Sequence, residues 1–194
     1  MRMLSNTSVG TLILVAALGT QLTACVPVVA GGAAAGGLVA ADRRSTGAYL
    51  EDQEIELKAE KAINDNLKEN VHANVTSYNR RVLITGEVSN EANKAKAESV
   101  VRPIQNVNRI NNQLVIGANT PISSRTNDAY ITSKVKTKFI SENKFAANLV
   151  KVVTENGTVF LMGMVTHKEG DDAAEIASKV SDVKKVVKDF EYID

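Results

Sequence analysis

A single thiol occurs in the 194-residue chain, at Cys25, and Leu22-Thr23-Ala24 stand directly before it. Small residues ahead of a cysteine form the lipobox that lipoprotein signal peptidase reads, so the chemistry this spacing implies is covalent. The chain would be cut ahead of Cys25, and that residue acylated on its sulfur and on its new amino terminus. The preceding residues agree: Arg2 supplies one positive charge, and the uncharged, mostly apolar run 9–18 suits a signal-peptide core but is too short to span a bilayer. Val26 follows the cysteine, where an aspartate often retains lipoproteins in the inner membrane, so the outer membrane is the expected destination.

Little else in the chain could react. The two histidines, His72 and His167, are isolated and read as surface residues. With no cysteine beyond the anchor they give no metal-ligand spacing. Neither a Gly-x-Ser-x-Gly nucleophile motif nor a phosphate-cradling loop occurs. The expectation is therefore no catalysis, no cofactor and no metal. Removing the signal peptide takes away only Arg2, which leaves 22 basic and 22 acidic residues. A neutral chain poor in aromatics argues against nucleic-acid binding.

The elements that must hold any site are set by a repeat. Val82-Leu83-Ile84-Thr85-Gly86-Glu87-Val88 falls on Val159-Phe160-Leu161-Met162-Gly163-Met164-Val165 at an offset of 77, and later apolar positions match at 76. Each copy reads as helix, strand, strand, helix, strand. Ile55, Ala59, Ile63 and Leu67 line one face of the first opening helix, and Ile131, Val135 and Phe139 line the second. Tyr78-Asn79-Arg80-Arg81 and Glu155-Asn156-Gly157-Thr158 separate the paired strands, and Asn-Gly is a strong hairpin signal. Thr166 with Glu169 makes a capping box for the next helix. The last strands, over 110–116 and 186–192, are reached by helical crossovers and should run parallel to their neighbours. The fold class is α+β, with two tandem αββαβ units, each a three-stranded mixed sheet carrying two helices on one face. Units of roughly 65 residues sit near the lower limit for independent folding, so packing of one on the other is expected.

The two opening helices differ in charge. Over 51–68 the first is three charges negative; over 126–146 the second is two positive, through Lys134, Lys136, Lys138 and Lys144 against Asp128 and Glu142. Tyr130, Lys134 and Lys138 form a stripe beside the apolar one. That stripe reads either as a solvated helix face or as a surface on which a tyrosine ring sits at headgroup level while lysines meet phosphates.

Strand-Gly-x-Val, a helix, then Val-x-x-Val or Val107-x-x-Ile110 leading into a final strand resembles the BON domain pattern, with Gly86 and Gly163 at its recurrent glycine position. Both glycines read as structural. A lipobox followed by two such domains resembles the dual BON-domain outer-membrane lipoproteins. This resemblance implies a lipid-anchored protein on the periplasmic face of the outer membrane that supports envelope integrity. Its second domain would bind anionic phospholipid such as phosphatidylglycerol or cardiolipin. The corresponding residues are Tyr130, Ile131, Lys134, Lys136 and Lys138. The alternative is an adaptor that recruits an envelope enzyme or assembly factor. The expected organisation is a signal peptide over 1–24, lipidated Cys25 with a Gly/Ala-rich tether over 25–47, a first domain over 48–117, a linker over 118–126 and a second domain over 127–194.

Overall fold

The computed structural model of the protein describes residues 42–67 and 71–194. The signal segment 1–24, Cys25 and the tether up to residue 41 lie outside the described residues.

Helix α1 (Thr46–Asn66) starts where Ser45 accepts the Ala48 N–H at 3.1 Å, satisfying one of the free donors of a helix start. It therefore begins just ahead of position 48. Its stripe of Ile55, Ala59 and Ile63 is buried, as is Leu67 at its end. Strands β1 (Val71–Tyr78) and β2 (Arg81–Val88) pair antiparallel from Val71↔Val88 to Tyr78↔Arg81. Helix α2 (Glu91–Val101) stops two residues before Pro103, whose missing N–H and ring cannot continue it. Strands β3 (Arg109–Asn112) and β4 (Val115–Ile116) then both pair parallel with β2.

The second domain repeats the order with α3 (Ile122–Glu142), a 3-10 turn (Ala147–Leu149), β5 (Lys151–Glu155), β6 (Thr158–Val165), α4 (His167–Ser178) and β7 (Lys185–Tyr192). Helix α3 starts inside the stretch read as a linker, immediately after Pro121, and ends at Asn143 in the left-handed region (φ +47°). The Thr166–Glu169 capping box forms as its spacing requires. Strand β6 pairs antiparallel with β5 and parallel with β7, the latter over all eight residues from Thr158↔Lys185 to Val165↔Tyr192.

One expected strand is interrupted. The stretch 110–116 forms β3 and β4 in a single register along β2, and the break falls opposite Gly86, where φ is +117°. There Leu114 turns fully into the core, and Asn112 holds the bend by donating to the Lys94 carbonyl at 2.9 Å. The first sheet consequently has four strands where three were expected.

Both hairpins turn through two residues at positive φ, Asn79 (+49°) and Arg80 (+64°) in one, Asn156 (+49°) and Gly157 (+77°) in the other. This geometry matches the twist of the strands it joins. A buried aspartate from each opening helix supports it. Asp52 accepts the N–H groups of Asn79 (2.8 Å) and Arg80 (2.7 Å), and Asp128 those of Asn156 and Gly157, both at 2.8 Å. Without these acceptors the turn amides would be left unpaired beside apolar surface.

Alternation along the central strands sends side chains to two different cores. Val82, Ile84 and Val88 face α1 and α2, while Val159, Leu161 and Val165 face α3 and α4. Leu83, Phe160 and Met162 point the other way and meet Tyr78 in a third cluster, where the helix-free faces of the two sheets pack together. Burial on both faces explains why β6 reads as a nearly unbroken apolar run, and it buries even Thr85 and Glu87 of β2. Polar contacts frame this seam: Lys151 Nζ to Glu56 Oε1 at 2.8 Å, Arg81 Nη2 to Asp189 Oδ1 at 3.1 Å, and Asn79 Nδ2 to Glu191 Oε2 at 2.8 Å.

Ahead of α1, Arg43 forms a two-pronged pair with Glu169 (2.7 and 2.8 Å) and donates to the Met164 carbonyl at 2.9 Å. The Arg43 guanidinium holds the Glu169 carboxyl down at about 2, against its partial burial and aided by the Thr166 N–H. A depressed carboxylate contributes stability above its unfolded value, which is lost as pH falls through the folded one. Arg43→Ala should therefore cost about 1 kcal/mol at neutral pH for this partly exposed pair. Urea unfolding at a series of pH values should show that difference shrinking as pH falls from 4.5 towards about 2. A difference that stays constant over this range would remove the pair as its cause.

Candidate lipid-facing helix and the interdomain seam

Helix α3 presents its buried stripe, Ile131, Val135 and Phe139, to the second core with no exposed surface. Ile131 was expected among the lipid-contacting residues. Its side chain lies inside the domain and cannot reach a membrane while the domain is folded.

The outward face of the same helix carries Ile122, Thr126, Tyr130, Ser133, Thr137 and Ile140, all exposed. Ile122 (80%), Tyr130 (60%) and Ile140 (69%) are large apolar groups left in water. The hydroxyls between them are satisfied within the helix: Thr126, Ser133 and Thr137 donate to the carbonyls of Ile122 (3.1 Å), Ala129 (3.0 Å) and Ser133 (2.9 Å). Bonding back to the preceding turn lowers the cost of moving such a face out of water. Ile122 and Ile140 were missed from sequence. Their signal is a position opposite the buried stripe, eighteen residues or five helical turns apart.

The lysines divide by role. Lys134 Nζ donates to Ser181 O (3.1 Å), Ser181 Oγ (2.7 Å) and Asp182 Oδ2 (2.8 Å), and lies 4.6 Å from the centre of the Tyr130 ring. It ties α3 to the turn after α4, and its charge draws the Asp182 carboxyl below its usual value. Lys144 similarly faces Asp172 (3.6 Å) and Glu175 (3.5 Å). Lys136 and Lys138 are exposed and have no ion-pair partner within 4.0 Å among the described residues. On α1, by contrast, Lys58 and Lys61 are paired with Glu54 (2.5 Å) and Asp65 (2.8 Å) along the helix.

A second concentration of polar groups lies at the seam. His72 and Glu87 are direct cross-strand partners on β1 and β2, with Nδ1 3.0 Å from Oε2. Glu155, at the end of β5, enters from the other domain and accepts from Asn74 Nδ2 at 2.9 Å. The His72 side chain is only 15% exposed, so it is not the surface histidine expected. Pairing across a hairpin and across domains is non-local and leaves no spacing signal. His167 does lie at the surface, beside Asp194. Burial pushes the Glu155 carboxyl up, only partly offset by Asn74. Burial also acts on Glu87, but the hydroxyl and N–H of Thr120 together with His72 outweigh it and hold that carboxyl low.

The structural glycines sit on the same strand position in each sheet. A Cβ on Gly86 would lie 1.9 Å from the His72 carbonyl oxygen, and one on Gly163 2.4 Å from the Leu149 carbonyl oxygen. No helix among the described residues is long and apolar enough to cross a membrane.

Comparison with known proteins places this geometry. The BON domain model matches residues 51–118 and again 127–194. The chain is 39% identical to the outer membrane lipoprotein DolP of Haemophilus influenzae over 89% of its own length and 91% of that protein. It is 32% identical to a 21 kDa hemolysin of Actinobacillus pleuropneumoniae, covering 78% and 79% of the two chains. It is 27% identical to the osmotically-inducible protein Y of Escherichia coli over 80% of each.

Proposed function

The chain belongs to the BON domain family, and from that premise we propose that it is an outer-membrane lipoprotein, anchored through Cys25 at the periplasmic face, whose second domain binds anionic phospholipid. It acts as a binding module for envelope integrity and not as an enzyme. The observation that carries this reading is the outward face of α3: exposed Ile122, Tyr130 and Ile140, hydroxyls already bonded within the helix, and Lys136 and Lys138 without ion-pair partners among the described residues. An amphipathic face of this kind seats apolar side chains at the headgroup boundary while cations meet phosphates.

Magnitudes assign different tasks to the two ends. Each lysine at an anionic surface contributes about 1 kcal/mol, so Lys136 and Lys138 supply about 2 kcal/mol, too little to hold a free protein on a membrane. Acyl chains at Cys25, at about 0.8 kcal/mol per buried methylene, do the holding. The tether makes headgroup contact intramolecular, at an effective concentration on the order of millimolar. The anchor sets the compartment, and α3 biases orientation and lateral position towards anionic lipid.

The test separates these contributions. Cys25→Ala should remove acylation and leave an unlipidated precursor or a misprocessed form, seen by mass spectrometry. In the mature chain without signal peptide or lipid, Lys136→Ala with Lys138→Ala should weaken partition into phosphatidylglycerol or cardiolipin vesicles roughly thirtyfold, the equivalent of about 2 kcal/mol. Lys134 is left alone because replacing it would break its contacts to Ser181 and Asp182. Salt should weaken the wild-type interaction, since exposed charges are screened beyond about 8 to 10 Å. Equal binding by the double variant, or by neutral phosphatidylcholine, would sink the lipid reading. The adaptor reading would then take its place, resting on Leu50 (60%) and Leu57 (69%) exposed along the acidic helix α1.

A further inference from the structure

We propose that His72, Glu87 and Glu155 form a binding site for a divalent transition-metal ion of the zinc class, which would fasten the two domains to each other. One imidazole and two carboxylates offer ligand atoms that all lie within 4.8 Å of one another. These are the donor types that hold zinc, and the nitrogen ligand favours such an ion over magnesium or calcium, which take oxygen donors.

The ligands are carried by rigid elements. His72 is in β1, Glu87 in the centre of the first sheet on β2, and Glu155 closes β5 of the second sheet. Bonds of about 2.0 to 2.2 Å place tetrahedral ligands about 3.3 to 3.6 Å apart, so no pair has to close by more than about 1.5 Å. Glutamate side-chain torsions can supply that without moving the strands. Neighbours already orient the carboxylates: Thr120 donates to Glu87 from its N–H (3.1 Å) and from its hydroxyl, and Asn74 donates to Glu155 (2.9 Å). Hydrogen bonds of this kind fix metal-ligating carboxylates in place.

Charge gives the second argument. Glu87 is 2% exposed and Glu155 9%, yet no lysine or arginine lies within 4.0 Å of either among the described residues. Elsewhere along the same seam Glu56 meets Lys151 and the buried Asp189 meets Arg81, while Glu191, which is not buried, accepts from Asn79. Two buried carboxylates at close range repel each other, and neither neutral Thr120 and Asn74 nor the single imidazole of His72, which carries at most one positive charge, can cancel both charges. A divalent cation would. Because His72 and Glu87 belong to the first domain and Glu155 to the second, the complete ligand set exists only while the domains are docked, so bound metal stabilises that arrangement by mass action.

The full lipoprotein in detergent, stripped of metal and carrying no histidine tag, should take up one zinc ion per chain in calorimetric titration. At about a hundredfold excess over Kd its Tm should rise by roughly 5 °C or more. Magnesium at the same concentration should do neither. Glu155→Gln keeps the volume and the acceptor for Asn74 while removing the charge, and should weaken zinc binding at least tenfold. His72→Gln should do the same, and supplies the answer should the first variant fold poorly. His167→Gln removes the exposed histidine beside Asp194 and should leave binding unchanged. Uptake below one zinc per chain, wild-type affinity in both seam variants, or loss of binding in His167→Gln would overturn the proposal.

Discussion

Gly86→Ala should destabilise the protein by about 3 to 5 kcal/mol, because it combines a backbone conformation open almost only to glycine with overpacking of a closed sheet. Gly86 has φ +117°, and a Cβ there would sit 1.9 Å from the His72 carbonyl oxygen and 3.3 Å from Ala73 Cα. Those atoms are backbone, so no flexible side chain can yield. Strand β1 would have to draw away from β2 at the pair Ala73↔Gly86. A shift of about 10 °C or more in a circular dichroism melt is expected. Gly117→Ala, where nothing lies within 4 Å of the added carbon, serves as the control and should barely move the Tm. Near-identical melts for the two variants would mean that the first sheet has slack that the pairing does not show. Displacing His72 would also disturb the seam cluster, so loss of zinc uptake should accompany the loss of stability.

Phe139→Ala should cost about 3 to 5 kcal/mol. The ring has no exposed surface and meets Phe145 edge-on, with centroids 5.0 Å apart and planes at 64°. It is the last residue of the α3 stripe and shares one continuous core with Leu149, Val159 and Ala173. Removing it leaves a void that these neighbours, held on the 3-10 turn, strand β6 and helix α4, fill only in part. Urea unfolding should show a lower midpoint with an unchanged slope. Lys136→Ala, three positions earlier on the exposed side of the same helix, should stay within about 0.5 kcal/mol of wild type. If both variants unfolded at the wild-type midpoint, the buried face of α3 would have been assigned to the wrong residues. Used together with vesicle binding, the pair separates stability from function: one change empties the core, the other removes a cation from the surface.

The proposed lipid-facing surface of α3 was only half legible. Tyr130, Lys136 and Lys138 could be placed on a helix surface from their spacing, but Ile131 was drawn into that set although it belongs to the buried stripe one position away. Ile122 and Ile140 escaped notice because two apolar residues five turns apart on a polar face are a far weaker signal than the buried stripe opposite them. Lys134 looked like any other lysine of the run. Its capture by Ser181 and Asp182, 47 and 48 residues away, depends on how α4 ends and where its following turn packs.

What the amino-acid sequence by itself determined is local or repetitive: the two αββαβ copies, the buried helix stripes, the Asn156-Gly157 turn, the Thr166–Glu169 capping box and the parallel closing strands. Each of these depends on residues within a few turns or strands of each other, where periodicity and backbone preference act directly. Tertiary structure alone decided the rest. The break in the closing strand opposite Gly86 depends on the backbone of a neighbouring strand. The aspartates beneath the hairpin turns act across 27 to 29 residues. The seam joins Asn74 to Glu155 over 81 positions. Such contacts form when two finished surfaces meet. Because many pairs of sequence-distant residues could in principle meet, only the packing of one sheet on the other selects which acids, amides and imidazole come to share a site.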